Sequence, residues 1–527
     1  AEIDVHGLVA TTSDISNTDF MNGQYHFNIS PEFSNTITNR GTITALEGGL
    51  VAFVAPGVQN TGIINARLGK VNLAAGNTFT LDLYGDQLVN LGVDSEVIES
   101  VTGIDGEQLK SLVSNTGSIY ADGGTVAMDV RTAQSLIDGV INMSGYIQAR
   151  SIAKKNGSIY LTGGNEGLVS VSGNIDATGL GTNETGGIVH VLGNRVGLYD
   201  YARIDVSGDA GGGLILVGGD YQGLGLIPTA VDNYVGPNVS IFADAVTGGD
   251  GGRTIFWADR RTEFFGTIKA RGGRLFGDGG FAEVSGKEEL YFVGSVDTTA
   301  PNGKSGTLLL DPDYITVSGG SGTASASGAS SFTTYEDILE SVASTTNIEM
   351  IATNSITFNN SLSFAQTAGQ SVTFTATNGN ISVTDSSDTI ETSGGSIIMT
   401  AGGTLSIGAV DTNGGDITLT GAEFTLSGAL DAGVGTVTIL GASGETIGLD
   451  GTTASTTAST ISTICNGSAC GLTLIQSELS NITAAKLVIG DDSAGNMYVD
   501  GVTLSHISGG VSLNSSGSNG SVEFGTG

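Results

Sequence analysis

A short motif returns along this chain with a period of about 28 residues, which is the range typical of structural repeats. In each copy a glycine or alanine stands two places before an apolar residue. The apolar members are Ile147, Ile175, Ile204, Ile268 and Val296. We interpret the longer interval from Ile204 to Ile268 as two repeats plus an insertion. Short strands divided by glycine at a fixed period are typical of a β-solenoid, in which each repeat forms one coil.

The composition agrees with a coiled fold of this kind. The chain of 527 residues contains 84 glycines and only 6 prolines, so we expect many corners to use the positive φ that glycine allows. Aromatic residues make up only 6%, which suits a narrow core of stacked aliphatic side chains. We therefore predict an all-β fold, a β-solenoid, with a few short flanking helices.

The first part of the chain divides into two predicted regions. Residues 1–95 carry a tighter repeat, because the motif that begins at Asn39 begins again at Asn60. We expect each Asn-x-Gly to supply a left-handed corner and the following isoleucine to fill the core. Residues 96–142 are predicted as coils with flanking helices, because Glu107–Val113 and Thr132–Ile137 show helical spacing.

Three further regions complete the predicted organisation. Residues 143–317 form coils of about 28 residues, with 221–238 as a projecting loop. Residues 318–345 are a Gly/Ser/Ala-rich linker followed by a short helix, which a capping box at Thr333–Glu336 would start. Residues 346–527 form a slimmer β-helix, because apolar residues there recur at an interval of about 20 residues. The members of that shorter repeat are Ile397, Ile417 and Val437.

The charge of the chain excludes some partners. With 53 acidic and 19 basic residues, the formal net charge is −34, and such a surface repels nucleic acid and anionic membranes. Two interpretations stay open, namely solubility of an exposed surface and binding of divalent cations at aspartate-bearing turns. No stretch of 18 or more apolar residues occurs, so we predict no transmembrane segment.

The two cysteines, Cys465 and Cys470, flank an Asn-Gly turn. In so long a chain this spacing predicts one local disulfide that closes a loop, and hence an oxidising compartment outside the cytosol. A redox pair or half of a metal site is the alternative, but no histidine or further cysteine lies near them in the sequence.

Candidate catalytic residues are few. Asp176 and Asp205 occupy equivalent places in successive coils, where we expect them to point outward as solvated turn residues. Arg260 and Arg261, near Trp257, have the chemistry to hold a sugar, although basic residues commonly follow a buried strand. The four histidines are scattered and form no metal-binding pattern; they are His6, His26, His190 and His506. We predict no catalytic, cofactor-binding or metal site, and no cofactor.

Three groups of residues resemble the filamentous-haemagglutinin-like exoproteins of two-partner secretion systems. Residues 39–76 are similar to the later part of that family's N-terminal secretion domain, 262–312 to a recurrent stretch of its large exoproteins, and 475–490 to its downstream repeats. The family's Asn-Pro-Asn segment is absent, and the nearest match is Gly236-Pro237-Asn238. We therefore expect the start of the secretion domain to lie outside this sequence.

The resemblance implies a right-handed parallel β-helix, export through an outer-membrane transporter barrel, and an extracellular or cell-surface location in bacteria. It implies a structural or adhesive protein, a stiff rod or fibre without enzymatic activity, whose ligand is a host or neighbouring-cell surface or a glycan. A carbohydrate-active β-helix enzyme and the stalk of a contact-dependent toxin are the alternatives. The Gly/Ser-rich end, which lacks a polar cap, leaves end-to-end self-association open.

Overall fold

The computed structural model describes most of the chain. The described residues are 1–31, 35–81, 91–97, 100–131, 139–153, 155–320, 332–451, 465, 470–516 and 520–525. They belong to two compact units, the first comprising 1–286 and 292–306, and the second comprising 287–291 and 307–527. About 50% of the residues lie in strands and 4% in helices, which confirms the all-β prediction.

The first unit is a parallel β-helix whose coils contribute a strand to each of up to three ladders. The short-strand ladder pairs ten strands in parallel. They are Glu2–Val5, Thr42–Ala45, Ile63–Asn65, Ser118–Tyr120, Tyr146–Gln148, Asn174–Asp176, Arg203–Asp205, Ser240–Phe242, Thr267–Lys269 and Ser295–Asp297.

Two ladders of longer strands form the other sides. The first long ladder contains Leu8–Thr11, Leu50–Ala55, Lys70–Ala75, Thr125–Val130, Ser158–Thr162, Ile188–Leu192, Leu214–Val217, the first half of Arg253–Phe264, and Phe281–Gly286. The second long ladder contains Thr36–Asn39, Gly57–Asn60, Ser111–Asn115, Gly139–Met143, Leu168–Val171, Arg195–Leu198, Ala230–Val235 and the second half of Arg253–Phe264.

A few elements of the first unit lie outside these ladders. The strands His26–Phe27, Thr78–Leu81 and Leu91–Ser95 form a small antiparallel sheet. A helix covers Asn17–Met21 and a 3₁₀ turn covers Tyr221–Gly223. A further strand, Glu289–Phe292, contains residues of both units.

The predicted isoleucine column forms the core of the short-strand ladder. Ile147 pairs with Ile175, and Ile175 pairs with Ile204. The long interval that follows is two coils, because Ile241 lies between Ile204 and Ile268 in the same register. All members of the column from Ile147 to Val296 are at most 3% exposed, so the register inferred from the repeat is confirmed.

The role predicted for Asn-x-Gly corners is wrong, because these glycines lack positive φ. A Cβ at Gly62 would lie 2.1 Å from the carbonyl oxygen of Gly41, and one at Gly117 would lie 2.1 Å from that of Gly62. The contact recurs at Gly145 and Gly173, with distances of 2.2 and 2.1 Å to the glycine one coil earlier. Glycine is needed here because successive coils approach too closely for any side chain.

The asparagines of these motifs form a buried column of amides. Asn39 Nδ2 donates to Asn60 Oδ1 at 2.8 Å, and Asn60 Nδ2 donates to Asn115 Oδ1 at 2.8 Å. Asn60 and Asn115 are fully buried. Hydrogen bonds between successive coils therefore satisfy these amides, which offsets the cost of burying them.

The second unit is also built of parallel ladders. Its main ladder contains Thr307–Leu310, Asn347–Ala352, Ser371–Ala376, Ser396–Ala401, Ile417–Thr420, Thr436–Leu440, Lys486–Ile489 and Val511–Leu513. Ile397 pairs with Ile417, and Ile417 pairs with Val437, so the three residues noted in the sequence lie in one column. Elsewhere in this ladder the interval is longer, because Ile348 pairs with Val372 and Val437 pairs with Leu487.

Three smaller ladders complete the second unit. The six-stranded ladder contains Tyr314–Ser318, Phe332–Tyr335, Ser355–Phe358, Ile381–Val383, Thr404–Ile407 and Glu423–Leu426. The five-stranded ladder contains Leu362–Thr367, Thr389–Ser393, Ala409–Asp411, Leu430–Asp431 and Ile482–Thr483. The four-stranded ladder contains Ile447–Asp450, Leu472–Ile475, Met497–Asp500 and Val522–Phe524. Short helices cover Glu336–Glu340 and Gln476–Leu479.

Two predicted local structures are corrected. The helix expected over Glu107–Val113 is absent, because Ser111–Asn115 is a strand whose five residues are all buried. Pairing on both sides with the strands Gly57–Asn60 and Gly139–Met143 overrides its helical spacing. The loop expected to project at 221–238 instead contains the strand Ala230–Val235.

Of two other local predictions, one stays untested and one is only partly correct. The helix expected over Thr132–Ile137 lies outside the described residues, as does 321–331 of the predicted linker. The next helix is shorter than predicted, Glu336–Glu340, and its N-cap residue Tyr335 makes no side-chain capping bond. The predicted capping box therefore does not start it.

Candidate functional site

The outer face of the second long ladder carries a group of charged and aromatic residues. Arg195 pairs in register with Asp232, and Asp232 with Arg261. Val196, Asn233 and Thr262, which follow them, are buried toward the interior. Because side chains alternate along a strand, the charged residues point outward in one row. A second outward row contains Gly197, Tyr234 and Glu263.

Two ion pairs organise the charged side chains. Arg260 Nη2 lies 2.5 Å from Asp232 Oδ1, and Arg261 Nη2 pairs with Glu263 Oε1. The arginine side chains nevertheless keep 48% and 32% exposure, so dissolved molecules can reach them. With Arg195, this group holds three arginines and two carboxylates.

Aromatic rings line the other side of this group. The rings of Tyr199 and Tyr234 are stacked with centroids 5.3 Å apart, and Tyr234 also contacts Phe265 at 5.9 Å. The Tyr199 ring lies over Gly197, where a Cβ would be only 2.3 Å from ring atoms. Burial, together with neighbouring Tyr234, raises the pKa of the Tyr199 hydroxyl, and Arg195 opposes that rise. Tyr199 is therefore a neutral hydrogen-bonding group at physiological pH.

Together these residues surround a cavity of about 250 Å³, which we call the arginine–tyrosine cleft. Its lining residues are Leu168, Arg195, Val196, Tyr199, Asp232, Asn233, Tyr234, Arg260, Arg261 and Glu263. Of these residues, only Arg260 and Arg261 are recognisable as candidates from the sequence. The other lining residues belong to strands that are separated by an insertion, and the sequence does not give the register across it. Finding them would have required both the alternation of side chains along each strand and a correct count of coils.

Trp257 is near the two arginines in the sequence. It lies in the first long ladder, whereas the charged residues lie on the second. It packs with Leu216 and Ile255 in a buried cluster, and its Nε1 donates to Asp259 Oδ1 at 3.2 Å. The segment following Leu214–Val217 covers this cluster, because Tyr221 packs against it and the backbone N–H of Gln222 donates to buried Glu283 at 3.0 Å. Trp257 does not line the arginine–tyrosine cleft.

The candidate carboxylates Asp176 and Asp205 pair in register as expected, but each is held by an arginine and largely shielded from solvent. Arg150 Nη2 lies 2.7 Å from Asp176 Oδ2, and Arg203 Nη2 lies 2.6 Å from Asp205 Oδ2. Although burial opposes ionisation, hydrogen bonds from Arg150 and Thr178 lower the pKa of Asp176. Both aspartates therefore have structural partners, rather than the solvated environment predicted for them.

The histidines show no metal-binding geometry. His190 lies in the strand Ile188–Leu192 and pairs in register with Tyr160, whose ring it meets edge-on at 5.1 Å. Burial lowers the pKa of His190, while Asp220 opposes the shift. In the part of the chain that the structure describes, no three His, Cys, Asp or Glu residues are grouped so as to hold a metal ion.

The two cysteines form a disulfide in the second unit. Cys465 and Cys470 are bonded, with their Cα atoms 5.5 Å apart. The bridge lies against Gly448 in the strand Ile447–Asp450, where a Cβ would be 2.5 Å from Cys470 Sγ. The disulfide therefore attaches its loop to the four-stranded ladder.

Comparison with known proteins gives a family match over the first third of the chain. The family described as "TPS secretion domain" matches residues 1–177. A solved structure, the crystal structure of the HMW1 secretion domain from Haemophilus influenzae, is similar at 28% identity with a TM-score of 0.46, over 57% of this chain and 75% of that one. No curated protein matches. Within the described residues, no helix has the length and apolar character to cross a bilayer.

Proposed function

We propose that this chain works outside the cell as a non-catalytic structural and adhesive protein of the bacterial surface, because residues 1–177 match the family of TPS secretion domains and this match implies export by a two-partner system. Export by such a system requires an outer-membrane transporter as partner. The proposal concerns what the chain does after export.

The observation that carries this proposal is the continuity of one ladder beyond the secretion domain. The short-strand ladder passes from Asn174–Asp176 to Arg203–Asp205 and on to Ser295–Asp297 without a change in pairing direction. The coils after residue 177 therefore extend the same outward surface. Stacked repeats of this kind provide extended surfaces for binding, which suits adhesion better than a single deep catalytic site.

The chemistry of the candidate residues supports a non-catalytic role. General acid–base catalysis by two carboxylates needs both groups to face a common substrate with different proton affinities. Asp176 and Asp205 instead pair with Arg150 and Arg203. Incubation with acidic polysaccharides, followed by measurement of new reducing ends or unsaturated products, tests this part of the proposal, and turnover would overturn it.

Adherence of cells to the purified chain tests the adhesive role. We expect beads coated with the folded 527-residue chain to bind neighbouring bacteria or host cells, and beads coated with the heat-unfolded chain to bind far fewer. Equal binding by both preparations would overturn the adhesive role. In intact bacteria, removal of the partner transporter should abolish surface labelling of the chain, which separates a failure of export from a failure of adhesion.

Association between copies of the chain belongs to the same proposal, because parallel strands of one molecule can pair with strands of another. Light scattering of the purified chain over a range of concentrations tests it. Growth of particle mass with concentration would support a fibre, and a constant monomer mass would restrict the proposal to single adhesive molecules.

A further inference from the structure

We propose that the arginine–tyrosine cleft binds a sugar that carries a carboxylate, of the uronic acid class. The cleft would supply the ligand contact for the adhesive role, so this inference rests on the function proposed above. Its residues all belong to the first unit, and all but Leu168 follow residues 1–177, which match the secretion-domain family.

The local charge of the cleft is opposite to the charge of the whole chain. The chain carries a net charge of −34, yet the lining of the cleft holds Arg195, Arg260 and Arg261 against only Asp232 and Glu263. Three of the chain's 19 basic residues thus meet in one cavity and give it a net positive charge. Guanidinium groups match the planar geometry of a carboxylate, so an anionic group is favoured here and repelled over most of the remaining surface.

Tyr199 and Tyr234 form an aromatic wall on one side of the cleft. Both residues line the cleft, and their rings, which stack on each other, each end in a hydroxyl group. The C–H face of a sugar ring packs against such flat apolar surfaces, while the phenolic hydroxyls can bond sugar hydroxyls. Phosphate or another inorganic anion makes no use of the rings, so the combination selects an anionic sugar over a simple ion.

The size and the rigidity of the cleft suit a single sugar ring. A cavity of about 250 Å³ is smaller than the roughly 300–1,000 Å³ of sites for drug-sized ligands, so it suits one sugar ring. Its residues lie on paired strands and on the residues next to them, and the Arg260–Asp232 ion pair fixes one wall. Gly197 keeps space for the Tyr199 ring, so the aromatic wall is already formed without ligand.

Saturation-transfer NMR on the purified 527-residue chain tests the proposal, with D-glucuronic acid as probe and D-glucose as its neutral match. We expect glucuronate to bind measurably and glucose at least tenfold more weakly, because the carboxylate contact with arginine is lost. Inorganic phosphate should compete only weakly. Equal binding of both sugars, full displacement by phosphate at comparable concentration, or no glucuronate binding would each overturn the inference.

Variants locate the site. Arg260→Ala and Tyr234→Ala should each weaken glucuronate binding by about tenfold. The matched control is Arg67→Ala, because Arg67 is an exposed arginine paired with Glu47 outside the cleft, and its loss should leave binding unchanged. If Arg260→Ala disturbs folding, as judged by protease resistance, Arg195→Gln at another exposed arginine of the cleft replaces it. Equal weakening by the control and cleft variants would overturn the assignment.

The bead assay separates this inference from the proposed function. If glucuronate binds the cleft but Arg260→Ala leaves adherence unchanged, the site stands and adhesion uses another surface. If adherence is present while glucuronate does not bind, the adhesive function stands and the cleft assignment is wrong.

Discussion

The two units satisfy their buried polar side chains in different ways. In the first unit the amides of Asn39, Asn60 and Asn115 bond to one another from coil to coil. In the second unit the buried hydroxyl groups of Thr392 and Thr412 donate to backbone oxygens of their own corners, at 2.5 Å to Gly395 and 2.6 Å to Gly415. Both arrangements remove the cost of polar burial, but only the first links side chain to side chain.

The two arrangements predict different effects when one buried polar group is removed. Removing one amide from the asparagine column leaves unsatisfied groups on the coils both before and after it. Removing one threonine hydroxyl leaves a carbonyl group that retains a second lone pair for other donors. We therefore expect the first unit to be more sensitive than the second to a single polar-to-apolar substitution in these columns.

The largest expected effect is that of Asn60→Ala. It orphans one N–H group of Asn39, whose amide keeps only a 3.4 Å bond to the Ile63 carbonyl oxygen, and the acceptor of Asn115, at a cost of roughly 2–6 kcal/mol. The single tryptophan, Trp257, lies in the same unit and reports its unfolding in urea. Asn65→Ala is the control, because the Asn65 side chain makes one bond of 3.3 Å to Thr44, and similar losses in both variants would contradict the column argument.

The next effect concerns an ionisable group in the first unit. Burial raises the pKa of Asp129 from 3.8 to about 6, while a hydrogen bond from Thr162 and the charge of Arg131 oppose the rise. The folded state thus holds more protons than the unfolded state between these two values. The contribution of Asp129 to stability is therefore greatest below the lower value and is lost as pH rises through about 6.

Asp129→Asn should therefore stabilise the first unit by about 3 kcal/mol at pH 7 and have little effect at pH 3.5. Urea unfolding of both proteins at the two pH values measures this difference. A gain that is the same at both pH values would show that packing, rather than ionisation, controls this position.

A smaller effect is expected from Gly117→Ala in the column of close coil contacts. The new Cβ would lie 2.1 Å from the carbonyl oxygen of Gly62, so the two coils must separate, at a cost of about 2 kcal/mol. The control is Gly7→Ala, whose Cβ would meet its nearest atom at an ordinary 3.4 Å. The same urea experiment measures both, and an unaffected Gly117→Ala would contradict the close-approach explanation.

The smallest effect belongs to the second unit. Thr412→Val keeps the shape of the side chain and removes a single donor, so we expect a loss of about 1 kcal/mol. Hydrogen exchange of the strands Ala409–Asp411 and Leu430–Asp431 provides a local measurement. A loss as large as that of Asn60→Ala would remove the distinction between the two units.

The sequence predicts the stacking of the coils well because one apolar residue in each repeat marks the register. The period places Ile147, Ile175 and Ile204 in one column, and the short-strand ladder contains them in that register. Ile241 is missed because an insertion shifts it out of the period. The helix predicted over Glu107–Val113 is wrong because strand pairing, which a local pattern does not contain, determines that segment.

The candidate site is harder to predict than the fold. Arg260 and Arg261 are recognised by their chemistry, but Tyr199 and Tyr234 are not, since their contact depends on register across coils. The role of the corner glycines is also misjudged, because a sequence does not distinguish a glycine that needs positive φ from one that needs space. The backbone φ of Gly62 and its distance to Gly41 decide between them.

The glycine contact between coils also bears on how such a chain changes over evolutionary time. The stretch of chain between neighbouring members of the isoleucine column is much shorter from Ile43 to Ile64 than from Ile64 to Ile119. The pairing is the same in both cases, so the amount of chain between two stacked corners is not constrained by the stack. Lineages can therefore lengthen or shorten loops and add whole coils while every older contact is preserved, and new surface chemistry can arise without a new core.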